Sequence, residues 1–99
     1  MSYDARMVEK LVAALESYLA TTPAFADDRR DKERAGFTVS DRIDIGARDA
    51  AGKPTALLIR SYYGAGKAPG SHPAAFEFTQ VRDGWQIRCS SGYPGSYPD

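Results

Sequence analysis

Residues 61–73, SYYGAGKAPGSHP, hold a Gly-Lys pair and the single histidine of the chain, residue types that bind phosphate or transfer protons. A phosphate-binding P-loop needs Gly, four further residues and then Gly-Lys-Ser/Thr, placed between a strand and a helix. Here Ser61 stands where the first glycine is required, and Ala68 follows Gly66-Lys67. The flanking segments alternate as strands do, so no helix N-terminus would face a phosphate. The sequence argues against a P-loop and predicts a long hairpin connection over residues 64–74.

Histidine is the residue type suited to proton transfer near neutral pH, and His72 is the single candidate. The neighbouring Ser71 lacks the Gly-x-Ser-x-Gly context that exposes a nucleophilic serine. One histidine and one cysteine, Cys89, also lack the spacing of a metal site. We therefore predict a protein without enzymatic activity, metal or cofactor, in which Cys89 is a small buried apolar residue.

Aromatic and charged residues are concentrated in the same segment, a combination that is typical of protein–protein contacts. The C-terminal residues 93–99, YPGSYPD, add two tyrosines, and their prolines exclude a central strand there. We predict a single α+β domain over residues 1–92 with an extended tail. The predicted partner-binding residues are Tyr62, Tyr63, Lys67, His72, Tyr93 and Tyr97.

The charge balance disfavours two classes of function. The 99 residues carry 13 basic and 13 acidic side chains, so the formal net charge is zero. Nucleic-acid binders usually concentrate basic charge on one face, and a DNA mimic needs an acidic excess. The single cysteine, together with the lack of a signal-like or membrane-length apolar run, favours a cytoplasmic protein with no membrane partner.

Two helices are expected before any strand. From about residue 3 to 20, apolar residues recur every three or four positions, which places them on one face of a helix with Ser2 as its N-cap. After Thr22-Pro23, a charged segment that ends at Gly36 predicts a short second helix, in which Phe25 is the one large apolar residue. The apolar face of the first helix consists of Met7, Val8, Leu11, Val12, Leu15, Tyr18 and Leu19.

From Phe37 onwards, apolar residues recur at every second position, as in a strand with one buried face. Residues 37–46, FTVSDRIDIG, alternate apolar and polar except at Asp41, which falls on the apolar face. Either a bulge turns Asp41 away, or its carboxylate is partly buried with a partner such as Arg60 or backbone amides. Residues 55–63, TALLIRSYY, are apolar on both faces and predict a central strand.

A final hairpin is predicted in residues 74–92, AAFEFTQVRDGWQIRCSSG. Asp83-Gly84 is a favoured pair for a type I′ turn, which would place Arg82 opposite Trp85 and Phe78 opposite Cys89. Alternation then puts the apolar residues of the hairpin on one face, namely Phe76, Phe78, Trp85, Ile87 and Cys89.

Two family resemblances rest on this region. A strand with Glu77, together with Arg88 and His72, resembles small microbial ribonucleases, in which Glu, Arg and His cooperate, but this chain has no histidine on a later strand. A helix followed by FEFTQVRDGWQI also resembles the cystatin-like and NTF2-like group, in which a long helix lies across a curved antiparallel sheet. That resemblance implies a small-ligand pocket between helix and sheet, for which we predict Asp41, Tyr18 and Trp85.

These patterns predict an α+β fold in which an N-terminal helix packs on a four-stranded, mostly antiparallel sheet, with a short second helix between. The leading hypothesis for function is a small protein-binding module or inhibitor that contacts a larger protein sterically or allosterically. Small cytosolic inhibitors, including phage-type antagonists of bacterial defence complexes, have this profile. The alternatives are the small-ligand domain and a homodimer that forms through an edge strand.

Overall fold

The computed structural model describes residues 4–46 and 52–92, which form two helices followed by four strands. All strand pairs are antiparallel, and the sheet order β1-β2-β3-β4 follows the sequence. The predicted α+β fold is confirmed, while the predicted tail, with Tyr93 and Tyr97, lies outside the described residues. The elements are α1 (Ala5–Thr21), α2 (Pro23–Arg34), β1 (Phe37–Gly46), β2 (Thr55–Gly64), β3 (Lys67–Val81) and β4 (Gly84–Gly92).

The first helix begins at Ala5 and is capped by Asp4, not by Ser2 as predicted. The Asp4 Oδ1 atom accepts a hydrogen bond of 2.8 Å from the backbone N–H of Met7, which satisfies one of the free amides of the first turn. Ser2 itself lies outside the described residues. The predicted apolar face is buried through a row of leucines four residues apart, Leu11, Leu15 and Leu19.

The second helix follows after a single residue, Thr22, whose backbone carbonyl accepts the first hydrogen bonds of α2. Pro23 starts the helix, where the missing N–H of proline costs no intrahelical hydrogen bond. Phe25 anchors this otherwise charged helix, as predicted, and is fully buried. Its ring contacts Tyr18 of α1 and Phe76 of β3, with centroid distances of 6.1 and 5.5 Å.

The connection between β2 and β3 differs from the prediction. The expected long loop over residues 64–74 is wrong, because Ala65-Gly66 forms a two-residue turn and Gly64 pairs directly with Lys67. Both turn residues have positive φ, 57° and 67°, as a type I′ turn requires. The Gly/Pro-rich residues extend β3 instead. Within the described chain, residues 67–73 pair on one side only, and such an edge tolerates proline.

The register of the last hairpin also differs from the prediction. Val81 pairs with Gly84, so Arg82-Asp83 forms the turn and Phe78 lies opposite Ile87 rather than Cys89. The shift changes partners but not faces, because the side-chain period of a strand is two. Neither Arg82 nor Asp83 has a positive φ, so the turn is not type I′, and Gly84 takes its positive φ of 144° at the start of β4. The Trp85 ring then lies edge-on to Phe78 at 6.2 Å.

Both helices pack on one face of the sheet, here called the covered face, and the opposite face is called the open face. Leu58 of β2 points to the covered face and is fully buried. Its neighbour Leu57 points to the open face, where no helix among the described residues lies, and remains exposed. The core consists of Leu11, Leu15, Leu19, Phe25, Ala56, Leu58, Ala74, Phe76 and Phe78.

Candidate functional site

The turn end of the β2–β3 hairpin holds a pair of packed rings on the covered face. Tyr62 of β2 and His72 of β3 stack with their planes 21° apart and their centroids 5.5 Å apart. The Tyr62 hydroxyl and the His72 Nε2 atom also share a hydrogen bond of 2.9 Å. Gly70 makes room for this stack, because a Cβ there would lie 2.7 Å from the Tyr62 ring. The hairpin therefore fixes both predicted residues in one half-buried unit.

A phenylalanine from β1 and two lysines complete the arrangement. Phe37 meets the Tyr62 ring edge-on at 5.3 Å. The Lys67 ammonium lies 6.0 Å from the centre of the Phe37 ring, and the Lys32 ammonium of α2 lies 5.1 Å from the centre of the Tyr62 ring. Both distances are in the range of cation–π attraction. These four residues and His72 are called the hairpin-end cluster.

A bulge brings Lys67 into this cluster. Tyr62 pairs with Gly70, and Gly64 pairs with Lys67, so two residues of β3 lie opposite one residue of β2. The extra residue inverts the alternation of β3, which turns Lys67 to the face that Phe37 and Tyr62 share.

The hairpin-end cluster includes three of the predicted partner-binding residues, Tyr62, Lys67 and His72. A fourth, Tyr63, is not part of it. Tyr63 follows Tyr62 on the strand, so it points to the open face, where it is largely exposed. Sequence reasoning missed Lys32 and Phe37. The position of Phe37 as the first residue on the apolar face of β1 was a usable signal, since an antiparallel neighbour must lie beside the β2–β3 turn.

A second polar group lies in the middle of the covered face, where Arg60 of β2 is only 2 % exposed. Its guanidinium donates hydrogen bonds of 2.8 and 3.0 Å to the two carboxylate oxygens of Asp41, the residue opposite it on β1. It also donates to the backbone carbonyl of Phe25 at 2.7 Å and to the Asp28 carboxylate at 3.3 Å. The buried charge is thereby paired and makes four hydrogen bonds, two of which tie α2 to the sheet.

Asp41 therefore takes the partnered alternative of the sequence analysis, and the β1–β2 register contains no bulge beside it. Arg29 of α2 is a second partner, with its Nη2 atom 2.9 Å from Asp41 Oδ2. Burial alone would raise the pKa of Asp41, but the hydrogen bonds and charges of Arg60 and Arg29 outweigh it and hold the pKa below its ordinary value. Burial likewise opposes the charge of Arg60, and Asp41 and Asp28 raise the pKa of Arg60 above its ordinary value.

A crevice of about 470 Å³ opens beside this network, between the helices and β1. One of the three residues predicted for a ligand pocket, Asp41, lines it. Tyr18 instead packs against Phe25 and Phe76, and Trp85 lines a separate recess of about 170 Å³. The predicted trio is thus divided among three places. The crevice is lined by Glu16, Leu19, Ala20, Phe25, Ala26, Arg29, Asp41, Ile43 and Arg60.

The residues that resemble a ribonuclease site do not converge. Glu77 and Arg88 form an ion pair of 3.0 Å across β3 and β4. Their side chains lie on the open face, whereas His72 is hydrogen-bonded to Tyr62 on the covered face. Cys89 is half-buried against the core, and its Sγ atom donates to the Ser91 carbonyl at 3.5 Å.

Three further features bear on function: possible metal ligands, membrane-spanning helices and similarity to known proteins. Within residues 4–46 and 52–92, no three His, Cys, Asp or Glu side chains are grouped as metal ligands would be. No helix in the described parts of the chain is long and apolar enough to cross a membrane. The chain matches no protein-family model, no curated protein and no solved structure.

Proposed function

We propose that this protein is a small protein-binding module that docks on a larger protein through the hairpin-end cluster. This proposal rests mainly on the mutual packing of the Phe37, Tyr62 and His72 rings. The ammonium groups of Lys32 and Lys67 lie beside these rings. Stacked aromatic side chains lose little conformational freedom on binding, and they are enriched among the residues that dominate interface energies. Lys67 at the rim is exposed and adds charge where the interface meets solvent.

The chemistry of the cluster favours a protein partner that presents acidic and aromatic side chains. Lys67 offers an exposed cation, whereas the charge of Lys32 is shared with Asp28 at 3.4 Å. Among residues 4–46 and 52–92, Lys67 is the one cation beside these rings without an acidic partner, which fits a protein surface better than a nucleic-acid backbone that needs several phosphate contacts. The zero net charge of the chain argues in the same direction. Such a module would inhibit its partner by steric or allosteric contact.

The test is an affinity capture from native-source lysate with four tagged proteins. Wild type is compared with Lys67→Glu and His72→Ala in the cluster and with Arg82→Glu. Arg82 is exposed in the β3–β4 turn, and its substitution gives the same charge change as Lys67→Glu. Circular dichroism melting checks that all four proteins fold equally well.

We expect one stoichiometric protein that wild type and Arg82→Glu retain and that both cluster variants lose. The captured protein is then purified and titrated against wild type to measure its dissociation constant. Retention of the same protein by all four baits would refute the cluster as the binding surface. An empty wild-type capture would instead support the second candidate function.

The second candidate is a small-ligand domain that uses the crevice beside Asp41. Its walls are apolar at Leu19 and Ile43 and charged at Arg29 and Asp41, so a ligand would need an apolar body and a polar end. An NMR screen would detect such a ligand by shifts of the Ala20 and Ala26 amides. Shifts confined to the hairpin-end cluster would count against it.

A further inference from the structure

The outer edge of β1 is the side of the strand that faces away from β2. Within the described residues, β1 pairs with β2 alone. In an antiparallel sheet, successive residues of a strand point their N–H and C=O groups alternately to one side and to the other. Phe78 of β3 donates to the Pro54 carbonyl at 2.9 Å, so the next residue, Thr55, points its backbone groups to β1, where Gly46 lies opposite. The even-numbered residues of β1 therefore bond to β2, and the odd-numbered residues point outward.

A side chain of α2 agrees with this assignment and covers one part of the edge. Arg29 donates to the carbonyl of Val39, an odd-numbered residue, at 3.2 Å. Farther along the strand, the outward backbone groups of Asp41, Ile43 and Ile45 make no hydrogen bond within residues 4–46 and 52–92. A row of unbonded edge groups is a template for pairing with another strand.

The side chains between these outward residues carry one charge of each sign. Arg42 and Asp44 lie on the open face and are 76 % and 50 % exposed, with the guanidinium 3.1 Å from the carboxylate. Opposite charges two positions apart allow an antiparallel strand of the same sequence to place each charge opposite its counterpart. Such cross-strand pairs of unlike charge stabilise a sheet, and pairs of like charge destabilise it.

The hydrogen bonds and the charges together select one register for two copies of this edge. A hydrogen-bonded pair must join two outward residues. A two-fold axis through Ile43 joins Ile43 to Ile43 and Asp41 to Ile45 of the other copy. The same axis places Arg42 of each copy opposite Asp44 of the other, so both conditions are met at once.

Other registers within residues 39–46 fail one condition. An axis through Arg42 or Asp44 would place two like charges opposite each other. An axis through Asp41 would place Ile43 opposite Val39, whose carbonyl Arg29 already engages. The charges and the covered position therefore favour pairing that is centred on Ile43.

We propose that the outer edge of β1 binds a second copy of the chain, with residues 40–46 of the two copies paired antiparallel about a two-fold axis through Ile43. The two sheets then form one sheet of eight strands. The paired edge is about 23 Å long at about 3.3 Å per residue. A single pair of short strands buries less surface than the interface of an obligate dimer, so we expect an equilibrium between monomer and dimer.

The first experiment is sedimentation equilibrium of the full chain, from micromolar to millimolar concentration at low salt. Arg42→Glu and Asp44→Lys each replace two pairs of unlike charge by two pairs of like charge, so we expect the dimer dissociation constant to rise about tenfold or more in each. The double variant Arg42→Glu/Asp44→Lys restores unlike pairs in the same register and keeps the net charge at zero. We expect it to dimerise as wild type does.

Matched controls place the same changes of charge at the far end of the sheet. Arg82→Glu and Asp83→Lys change exposed residues of the β3–β4 turn. We expect both to dimerise as wild type does, because the turn takes no part in the interface. Circular dichroism melting at micromolar concentration checks that all variants fold equally well.

The second experiment tests the backbone register in the wild-type chain. Hydrogen exchange is started in micromolar or in millimolar solution, and the protection of each amide is read by NMR after quenching. We expect the amides of Ile43 and Ile45 to be protected only in the concentrated solution, where the second copy accepts their hydrogen bonds. The amides of Arg42 and Asp44, which bond to β2, should be protected equally at both concentrations.

Several outcomes would overturn the proposal. A wild-type chain that is monomeric at millimolar concentration would do so, and so would a dimer that resists either single variant. A double variant as weak as the single variants, or turn controls that dissociate equally, would refute the register. Equal protection of Ile43 and Ile45 at both concentrations would show that the edge does not bind a second copy. The hairpin-end cluster lies beyond Val39 at the other end of β1, so these outcomes leave the proposed partner surface to be judged by the lysate capture.

Discussion

On the covered face of β2, the charged Arg60 is 2 % exposed, whereas the apolar Leu57 on the open face of the same strand is 42 % exposed. Residue polarity alone would assign each of them to the other environment. Arg60 tolerates burial because its donors reach Asp41, Asp28 and the carbonyl of Phe25. Leu57 has no such local reason for its exposure. The contrast teaches that a charge is buried only where partners within the chain satisfy it, whereas an apolar side chain stays exposed without any such condition.

The largest effect is expected from Arg60→Met. Methionine fills much of the same volume but removes two hydrogen bonds from the Asp41 carboxylate and one each from the Asp28 carboxylate and the Phe25 carbonyl. We expect a loss of about 3–5 kcal/mol in the free energy of unfolding, the usual cost of breaking a buried pair from one side. Equilibrium unfolding in urea measures it. Arg42→Met, at an exposed position of β1, is the control and should stay within about 0.5 kcal/mol. Equal losses in the two variants would mean that the network does not hold α2 to the sheet.

The next contrast uses two adjacent leucines on β2. Leu58→Ala opens a cavity in the core and should cost about 2–5 kcal/mol. Leu57→Ala should cost no more than about 0.5 kcal/mol, because its side chain lies exposed on the open face. Both values come from urea unfolding at micromolar concentration. A large loss in Leu57→Ala under these conditions would mean that the open face is covered within a single chain.

A smaller effect is expected from the titration of Asp41. Its pKa is lower in the fold than the ordinary value of 3.8, so its stabilising charge is fully present above that value and is lost as the pH falls through the folded pKa. Asp41→Asn should therefore cost about 1.5–3 kcal/mol near neutral pH and progressively less below pH 4. Urea unfolding of wild type and variant at several pH values measures the difference. A difference that does not change with pH would exclude the carboxylate charge as the cause.

Much of this arrangement follows from the sequence, because the spacing of apolar residues and the residue types at turns determine local structure. The period of two in β1 places Asp41 on the apolar face but leaves open a bulge or a partner, either Arg60 or backbone amides. The register and the hydrogen bonds select Arg60. The β2–β3 turn was mistaken for a long loop because proline and glycine serve at a strand edge as well as in loops. The second helix was expected, but nothing local in a charged segment indicates that Arg29 reaches β1. That contact depends on the packing of Phe25, which is a property of the whole core.

The smallest change in the free energy of unfolding is expected when the hydroxyl of Tyr62 is removed and compared with removal of the Tyr63 hydroxyl. Tyr62→Phe removes only the hydrogen bond to His72 on the covered face, while the ring stack and the contact with Phe37 remain. We expect a loss of about 0.5–1.5 kcal/mol, the net value of one partly buried hydrogen bond. Tyr63→Phe on the open face is the matched control and should change the free energy of unfolding by no more than about 0.5 kcal/mol. Equal values for the two variants would show that the hydroxyl does not fix the hairpin-end cluster. In that case the ring stack alone would hold Tyr62 and His72 in place, and binding by the cluster would depend on the rings rather than on the Tyr62–His72 hydrogen bond.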